Sequence, residues 1–427
     1  MLFSGTTKEG LGVYLYPTER FKTIAIHAVW VQDLDPARAT VSALVPAVLR
    51  RGTRRWPTFT AMEAHLDELY GGAFRADVGK LGDKQLLSFH LEVPDGRFLP
   101  GRPDTFSAGV EFLSVVMKEP HWPGGRLPAG VLDQEKELLR RQMQAVINDK
   151  AQYATLRLIE HMAAGERWGL RRYGRPEDLA GVDEERLRER YDAILREAPL
   201  YVFVVGAVDP DHADQVIRGH WQGRPAAALG PIPRFAPRHE RDLVVEEQDV
   251  QQGKLNLGYA TGRRLTDPDY PALMMYAGVL GGYPHSKLFV NVREKASLAY
   301  YAYARLDGAL GLMLIGSGIE FAHFRPALAI IEEQVAAMAE GRITEQEMAF
   351  TLSSYLNDLR TEEDSPSSLI GRQLERLLVG GGLLPDELAP ALERVTVADV
   401  TRVAESVALD TIYFLTRTGE GVHAGLH

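Results

Sequence analysis

Two periodicities of apolar residues recur along the chain. Alternation every second residue, typical of half-buried strands, marks GVYLY, TIAIHAVW and LLSFHLEV in the first half and DLVVEE, KLNLGYAT and LMLIGSGIE in the second. A helical period marks AGVEFLSVVMKE and LDQEKELLRRQMQAVINDK in the first half and ALAIIEEQVAAMAEG and TEQEMAFTLSSYLNDLR in the second. Strands and helices interleaved in this order predict an α+β fold, with mostly antiparallel sheets covered by helices.

The second half of the chain repeats the order of the first at a period of about 211 residues. A helix followed by the strand YVFVVG closes the first half, and a helix followed by IYFLT closes the second, so Tyr201 corresponds roughly to Ile412. The repeat predicts two homologous αβ domains, residues 1–218 and 239–427. Residues 219–238 between them hold four prolines and three glycines, which predicts a semi-rigid interdomain linker.

Composition narrows the possible partners. The formal net charge is -10, and basic residues are interspersed with acidic ones, which disfavours a nucleic-acid or anionic-membrane partner. No run approaches the ~18 apolar residues of a membrane span. The start, MLFSGTTKEG, lacks the basic and apolar regions of a signal peptide, so we expect a cytoplasmic location. Because the chain has no cysteine, any zinc ligands would have to be histidines and carboxylates.

Common catalytic motifs are absent from the sequence. His161 closes RLIEH, which falls short of the zinc helix pattern H-x-x-E-H because Arg157 stands in the place of the first histidine. No serine has a G-x-S-x-G context, and no glycine-rich loop of the kind that binds phosphates is present. By elimination, the chain resembles a protein without an evident active site of its own.

Residues 281–303, GGYPHSKLFVNVREKASLAYYAY, are the exception. A glycine pair, interpreted as a turn, precedes a predicted short helix that runs into a predicted strand, with Arg293 at the helix end and Tyr300 at the strand start. One interpretation is structural: Arg293 pairs with Glu294 or another carboxylate, and Tyr300 is half-buried. The other is functional, since a planar guanidinium and a phenol can converge on a peptide carbonyl.

This segment resembles the hallmark of the C-terminal half of the pitrilysin/insulinase zinc peptidases and their mitochondrial processing peptidase relatives, L-F-x-x-[VL]-R-E-K followed by x-x-L-A-Y. The matching residues are Gly281, Gly282, Leu288, Phe289, Arg293, Glu294, Lys295, Leu298, Ala299 and Tyr300. The resemblance implies that Arg293 and Tyr300 clamp the substrate backbone. It also implies a clam-shell of two domains.

The same resemblance gives a meaning to the apolar stretch SALVPAVLRRGT. In active members, a helix ending H-F-L-E-H-M-L-F-K-G-T supplies two zinc ligands and the general base. Aligned on residues 51–53, R-G-T, this chain has Ala43 and Ala47 at the two histidine positions and Pro46 at the glutamate position. A proline inside the helix also removes a backbone donor.

The third zinc ligand of active members is a glutamate in a later helix, in a pattern like E-K-x-x-x-x-E-E. Here Glu135 fits the start of that pattern, and Gln142 stands at the ligand position. A neutral amide is a poor zinc ligand beside carboxylate and imidazole. With all ligand positions and the base position degenerate, the resemblance implies no catalytic residue and no metal in this chain, with zinc expected only in an active partner.

Three functions follow from this pattern. The first is a catalytically silent subunit that binds extended peptide and supplies the clamp to a partner, either a paralogous H-x-x-E-H-bearing peptidase subunit or a second copy of itself as a dimer. The second is a peptide-binding or scaffold protein, homodimeric or monomeric, without peptidase activity and without a peptidase partner. The third, an active peptidase with another metal site, needs ligands that the sequence does not offer; stoichiometric zinc bound by the pure chain would revive it.

Overall fold

The computed structural model describes residues 3–238 and 242–419, which form two compact units. Of the described residues, the first unit contains 3–144, 170–231 and 365–374, and the second contains 145–169, 232–238, 242–364 and 375–419. The predicted boundary at residue 239 and the end of the predicted second domain lie outside the described residues. None of the helices in the described ranges is long and apolar enough to cross a membrane.

Eleven strands and thirteen α-helices make up the described part of the chain. In chain order they are β1 (Ser4–Lys8), β2 (Leu11–Pro17), β3 (Thr23–Asp33), α1 (Ala39–Leu49), α2 (Phe59–Glu68), β4 (Ala73–Leu81), β5 (Lys84–Pro94), α3 (Thr105–Lys118), α4 (Val131–Asn148), α5 (Lys150–Ala163), α6 (Glu184–Glu197), β6 (Leu200–Gly206), α7 (Pro210–His220), β7 (Asp242–Gln248), β8 (Gly253–Ala260), α8 (Tyr270–Ala277), β9 (Ala299–Asp307), β10 (Leu312–Ile319), α9 (Phe324–Ala339), α10 (Glu345–Glu363), α11 (Pro366–Val379), α12 (Pro385–Glu393), α13 (Val397–Ala404) and β11 (Ala408–Arg417).

The first unit is built on a six-stranded sheet in the order β1-β2-β6-β3-β5-β4. Every neighbouring pair is antiparallel except β2 and β6. Alternate residues of β3, such as Ile26 and Trp30, enter the core, where they meet apolar residues of α1 and α3. Strand β4 lies at one edge of this sheet and has β5 as its strand neighbour.

Helix α1 is buried on almost every side. It runs without a break through Pro46, and the Arg50 amide donates to the Pro46 carbonyl at 3.2 Å. Leu44 and Val45 belong to the core of the unit. An apolar helix of this kind is held by packing rather than by its own propensity, which is why an interior proline is tolerated.

The second unit has a five-stranded sheet in the order β7-β11-β8-β10-β9. Helix α5, which precedes the predicted linker in sequence, packs within this unit against β8 and β11. The approach is close, since a Cβ placed on Gly258 would lie 2.1 Å from the Met162 sulfur. Both units combine a mostly antiparallel sheet with helices, so the predicted mixed α and β class is confirmed.

Candidate functional site

The four degenerate positions lie in the wall of one pocket of the first unit, of about 310 Å³. Ala43, Pro46 and Ala47 come from α1, and Gln142 comes from α4. Residues three and four apart lie on one face of a helix, which places the three α1 positions side by side. We call this cavity, bounded by α1, α4 and β4, the α1 pocket.

No pattern in the sequence indicated the third wall of the α1 pocket. It is formed by residues 76–78 of β4, an edge strand that the apolar pattern did not reveal. Two further residues complete the polar lining, Arg50 at the C-terminal end of α1 and Tyr173. The Gln142 amide nitrogen donates to the Tyr173 hydroxyl at 2.8 Å, so the residue at the third ligand position is held by a neutral hydrogen bond.

Both carboxylates of the α1 pocket already have a basic side chain as a partner. Glu135 is 2% exposed and forms an ion pair with Arg51. Asp77 lies 3.3 Å from the Nε2 atom of His90. Among the residues that the structure describes, no group of three or more histidine, aspartate or glutamate side chains is arranged to hold a metal ion.

Asp77 and His90 belong to a polar row across β3, β5 and β4. The Nδ1 atoms of His90 and His27 lie 3.0 Å apart. Burial alone raises the pKa of Asp77, but the hydrogen bond and charge of His90, together with Arg75, outweigh it, and the net pKa is below the usual value. Burial lowers the pKa of His27 well below the usual histidine value, helped by His90. At neutral pH, this row therefore presents an ionised Asp77 and a neutral His27.

Arg293 lies in the second unit, within a π-helical segment, Phe289–Lys295, that precedes β9. Its guanidinium stands 4.5 Å from the centre of the Phe289 ring, within cation–π range. It forms no ion pair with any described residue, so the pairing with Glu294 or another carboxylate that the structural interpretation required is not present there. The guanidinium is solvent-exposed and keeps its donors available.

Tyr300 lies in β9, at the edge of the second sheet, and is 63% exposed. Tyr301 pairs with Gly318, and Ala299 pairs with Ile319, so Tyr300 is the extra residue of a β-bulge. A bulge re-aims a side chain and interrupts pairing. Tyr300 is therefore more exposed than the half-buried side chain that the structural interpretation of this segment expects.

The glycine pair before this motif forms part of a π-helical segment, Gly278–Gly282, rather than the turn that the sequence suggested. A Cβ on Gly281 would stand 2.4 Å from the Ala304 amide nitrogen of β9, so the first glycine lets the segment touch the strand. A Cβ placed on Gly282 would meet no atom closer than 3.5 Å. Only the first glycine is therefore required by packing.

Comparison with known proteins identifies relatives over nearly the whole length of the chain. A sequence profile described as "Peptidase M16 inactive domain" matches residues 181–355. The chain is 35% identical over 411 residues to a Bacillus subtilis protein named probable inactive metalloprotease YmfF, covering 96% of each.

Solved structures agree with these matches. A crystal structure of a conserved protein from Enterococcus faecalis superposes with a TM-score of 0.91 and 25% identity, covering 99% of this chain and 100% of that one. A peptidase M16 inactive domain from Pseudomonas fluorescens superposes with a TM-score of 0.78 and 16% identity, covering 98% and 99%. The second likeness concerns the fold alone.

Proposed function

The chain belongs to the peptidase M16 family, and from this premise we propose that it is a catalytically silent subunit that binds extended peptide and completes the site of a partner bearing H-x-x-E-H. The observation that carries the proposal is the α1 pocket. Ala43, Pro46, Ala47 and Gln142 line it. The family resemblance aligns these residues with the three zinc ligands and the general base, and none of them has a side chain suited to that role. The relative named as a probable inactive metalloprotease supports the same conclusion.

The residues of the α1 pocket do not fit the zinc of active family members. Zinc in a hydrolytic site requires three nitrogen or carboxylate ligands and an open position for water. Ala43 and Ala47 offer methyl groups, and Gln142 offers a neutral amide that is bonded to Tyr173. The nearby carboxylates, Glu135 and Asp77, are held by Arg51 and His90. No hydrolytic step through a metal is therefore derived for this chain.

What this chain contributes, in the proposal, is the clamp of Arg293 and Tyr300. The guanidinium has no carboxylate partner among the described residues, and the phenol projects from an exposed bulge. Arginine donates through a planar fork that suits carbonyl and carboxylate oxygens, and the tyrosine hydroxyl can donate or accept. Both side chains are free to bind an extended peptide backbone without first breaking an ion pair.

The edge strands of the two sheets also favour an extended peptide as the ligand. Each sheet ends in a strand, β4 or β9, whose outer side has no strand partner in the described residues. An extended peptide can add to such an edge through main-chain hydrogen bonds, which give affinity without requiring one particular sequence. We therefore propose that the ligand is an extended peptide, and that the subunit acts in the cytoplasm with a paralogous peptidase subunit or with a second copy of itself.

The test is hydrolysis of a mixed fluorogenic peptide library in the presence of zinc. Three samples are compared: the purified chain, the H-x-x-E-H relative from the same genome, and the mixture. We expect turnover in the mixture above the relative alone, and none from this chain alone. Activity of this chain alone would overturn the proposal. Peptide binding without turnover in any sample would instead favour the alternative of a peptide-binding or scaffold homodimer.

A further inference from the structure

The α1 pocket opens beside an unpaired strand edge. Ala76 and Val78 of β4 line the pocket, and β4 is the last strand of its sheet. A peptide that adds to β4 would present every second side chain to the same face. One of those side chains can therefore enter the pocket while the backbone pairs with the strand.

The α1 pocket has an apolar side, although polar and apolar groups contribute equally to its lining. Besides the two β4 residues, the methyl groups of Ala43 and Ala47, the Pro46 ring and the side chain of Leu138 contribute, and Leu138 is 44% exposed. A volume of about 310 Å³ corresponds to roughly ten water molecules in the liquid. It is large enough for one bulky aliphatic or aromatic side chain, whose burial would also cover the exposed leucine.

One positive charge of the α1 pocket, the Arg50 guanidinium, has no partner among the described residues. Glu135 is neutralised by Arg51, and Asp77 is bonded to His90. Arg50 is half-buried in the lining, and its side chain has no hydrogen-bond or ion-pair partner among the residues that the structure describes. A guanidinium without a carboxylate in a partly desolvated site favours an anionic group on the ligand.

We propose that the α1 pocket is a specificity site for an acidic extended peptide that pairs with β4. A bulky apolar side chain fills the space that the lost ligand residues leave, and a peptide carboxylate pairs with Arg50. The degenerate metal site thereby becomes a site that selects sequence. This inference rests on the proposed function, because it names the peptide class that the silent subunit would select.

The experiment uses the full chain and four fluorescein-labelled peptides of one extended Thr/Val background. They carry Phe or Ala at the central position and Glu or Gln two residues further on, so that both side chains face the same way. Fluorescence anisotropy gives the affinities of the wild type, Ala47→Phe and Arg50→Gln. The matched controls are Ala64→Phe on the exposed face of α2 and Arg141→Gln, whose side chain is 70% exposed on α4.

We expect the wild type to bind the Phe/Glu peptide about tenfold or more tightly than the Ala/Glu or Phe/Gln peptide. Ala47→Phe should remove the preference for Phe, and Arg50→Gln should remove the preference for Glu. Both controls should keep both preferences. Ala47→Leu serves as a second filling variant, and unchanged thermal unfolding shows that the variants are folded.

Two outcomes would overturn the inference separately from the proposed function. If the wild type binds all four peptides equally, or if Ala47→Phe keeps the wild-type preference, the α1 pocket does not select the peptide, although partner-dependent turnover of the library can still stand. If no peptide binds and no mixture shows turnover, both proposals fail together.

Discussion

The Arg157 guanidinium of α5 lies 2.9 Å from the Glu246 carboxylate of β7. Helix α5 precedes the predicted linker in the sequence, and β7 follows that linker. The ion pair therefore joins two segments from either side of the linker within the second compact unit. Glu246 also accepts hydrogen bonds from the hydroxyls of Tyr153, at 2.6 Å, and Tyr413, at 2.8 Å. One carboxylate therefore connects α5, β7 and β11.

Glu246→Gln should destabilise the second unit. The substitution removes the charge that accepts four hydrogen bonds, from Tyr153, Arg157, Gln248 and Tyr413. Bonds to charged groups contribute about 1–3 kcal/mol each, with non-additive losses. We expect a lower urea midpoint, followed by intrinsic fluorescence. The control is Glu137→Gln, which breaks only the exposed pairs of Glu137 with Arg140 and Arg141 and should lower the urea midpoint much less, because exposed ion pairs contribute little to stability. Equal effects of the two substitutions would show that the Glu246 connection does not stabilise the unit.

The same carboxylate predicts a pH dependence. Burial alone raises the pKa of Glu246, but the hydrogen bonds of Tyr153, Tyr413 and Arg157 outweigh it and lower the pKa to about 2, from 4.5. A depressed folded-state pKa stabilises the fold at pH values above 4.5, and this contribution is lost as the pH falls from 4.5 toward 2. The stability difference between the wild type and Glu246→Gln should therefore shrink over that range. A difference that stays constant down to pH 2 would contradict the assignment.

Gly281→Ala should destabilise the chain, whereas Gly282→Ala should not. A Cβ at position 281 would collide with the backbone of β9, 2.4 Å from the Ala304 nitrogen, and a strand cannot yield as a side chain can. Overpacking of this kind costs about 1–3 kcal/mol. At position 282, the nearest atom is 3.5 Å away, an ordinary contact. Thermal unfolding of the two variants checks the contrast, which equal melting temperatures would refute.

The sequence predicted the central strands because their apolar residues follow a simple period. Alternate residues of β3 and β5 belong to the core of the first unit, and both strands lie where the pattern places them, although the opposite face of β3 is buried as well. β4 was not predicted because, at this sheet edge, Arg75 and Asp77 are exposed and Val78 is the one buried residue of the strand. The apolar pattern therefore underestimates edge strands, and one of them forms a wall of the α1 pocket.

The periodicity of apolar residues does not predict how helices group into units or where a π-helical segment forms. A helical period shows that α5 has an apolar face but not which sheet covers it, so its grouping with the second unit was not predicted. The π-helical geometry around Gly281 differs from an α-helix by one residue per hydrogen-bonded turn, which a short segment cannot reveal. The convergence of Ala43, Ala47 and Gln142 followed from the family resemblance rather than from local pattern.

Arg293→Ala should weaken peptide binding, or partner-dependent turnover, by about 1–3 kcal/mol, the scale of a charge-assisted hydrogen bond. The side chain is exposed and has no ion pair in the described residues, so the fold should be unaffected. Lys295→Ala is the matched control, since it removes an exposed cation from the same segment. Peptide anisotropy and hydrolysis by the mixture are the measurements. Unchanged values for both would remove Arg293 from the site.

Restoring the ligand set should create zinc affinity. The quadruple variant Ala43→His, Pro46→Glu, Ala47→His and Gln142→Glu places two imidazoles and two carboxylates around the α1 pocket. The imidazoles and the carboxylate at position 142 make up the three ligands that a hydrolytic zinc site uses, and the carboxylate at position 46 restores the general base.

The variant that leaves Gln142 in place is the control and should bind zinc more weakly, because it lacks the third ligand. Metal analysis after dialysis, with circular dichroism to establish folding, gives the stoichiometry. A folded quadruple variant that takes up no zinc would show that the register of α1 against α4 differs from that of active members. It would also remove the strongest support for treating the α1 pocket as a former metal site.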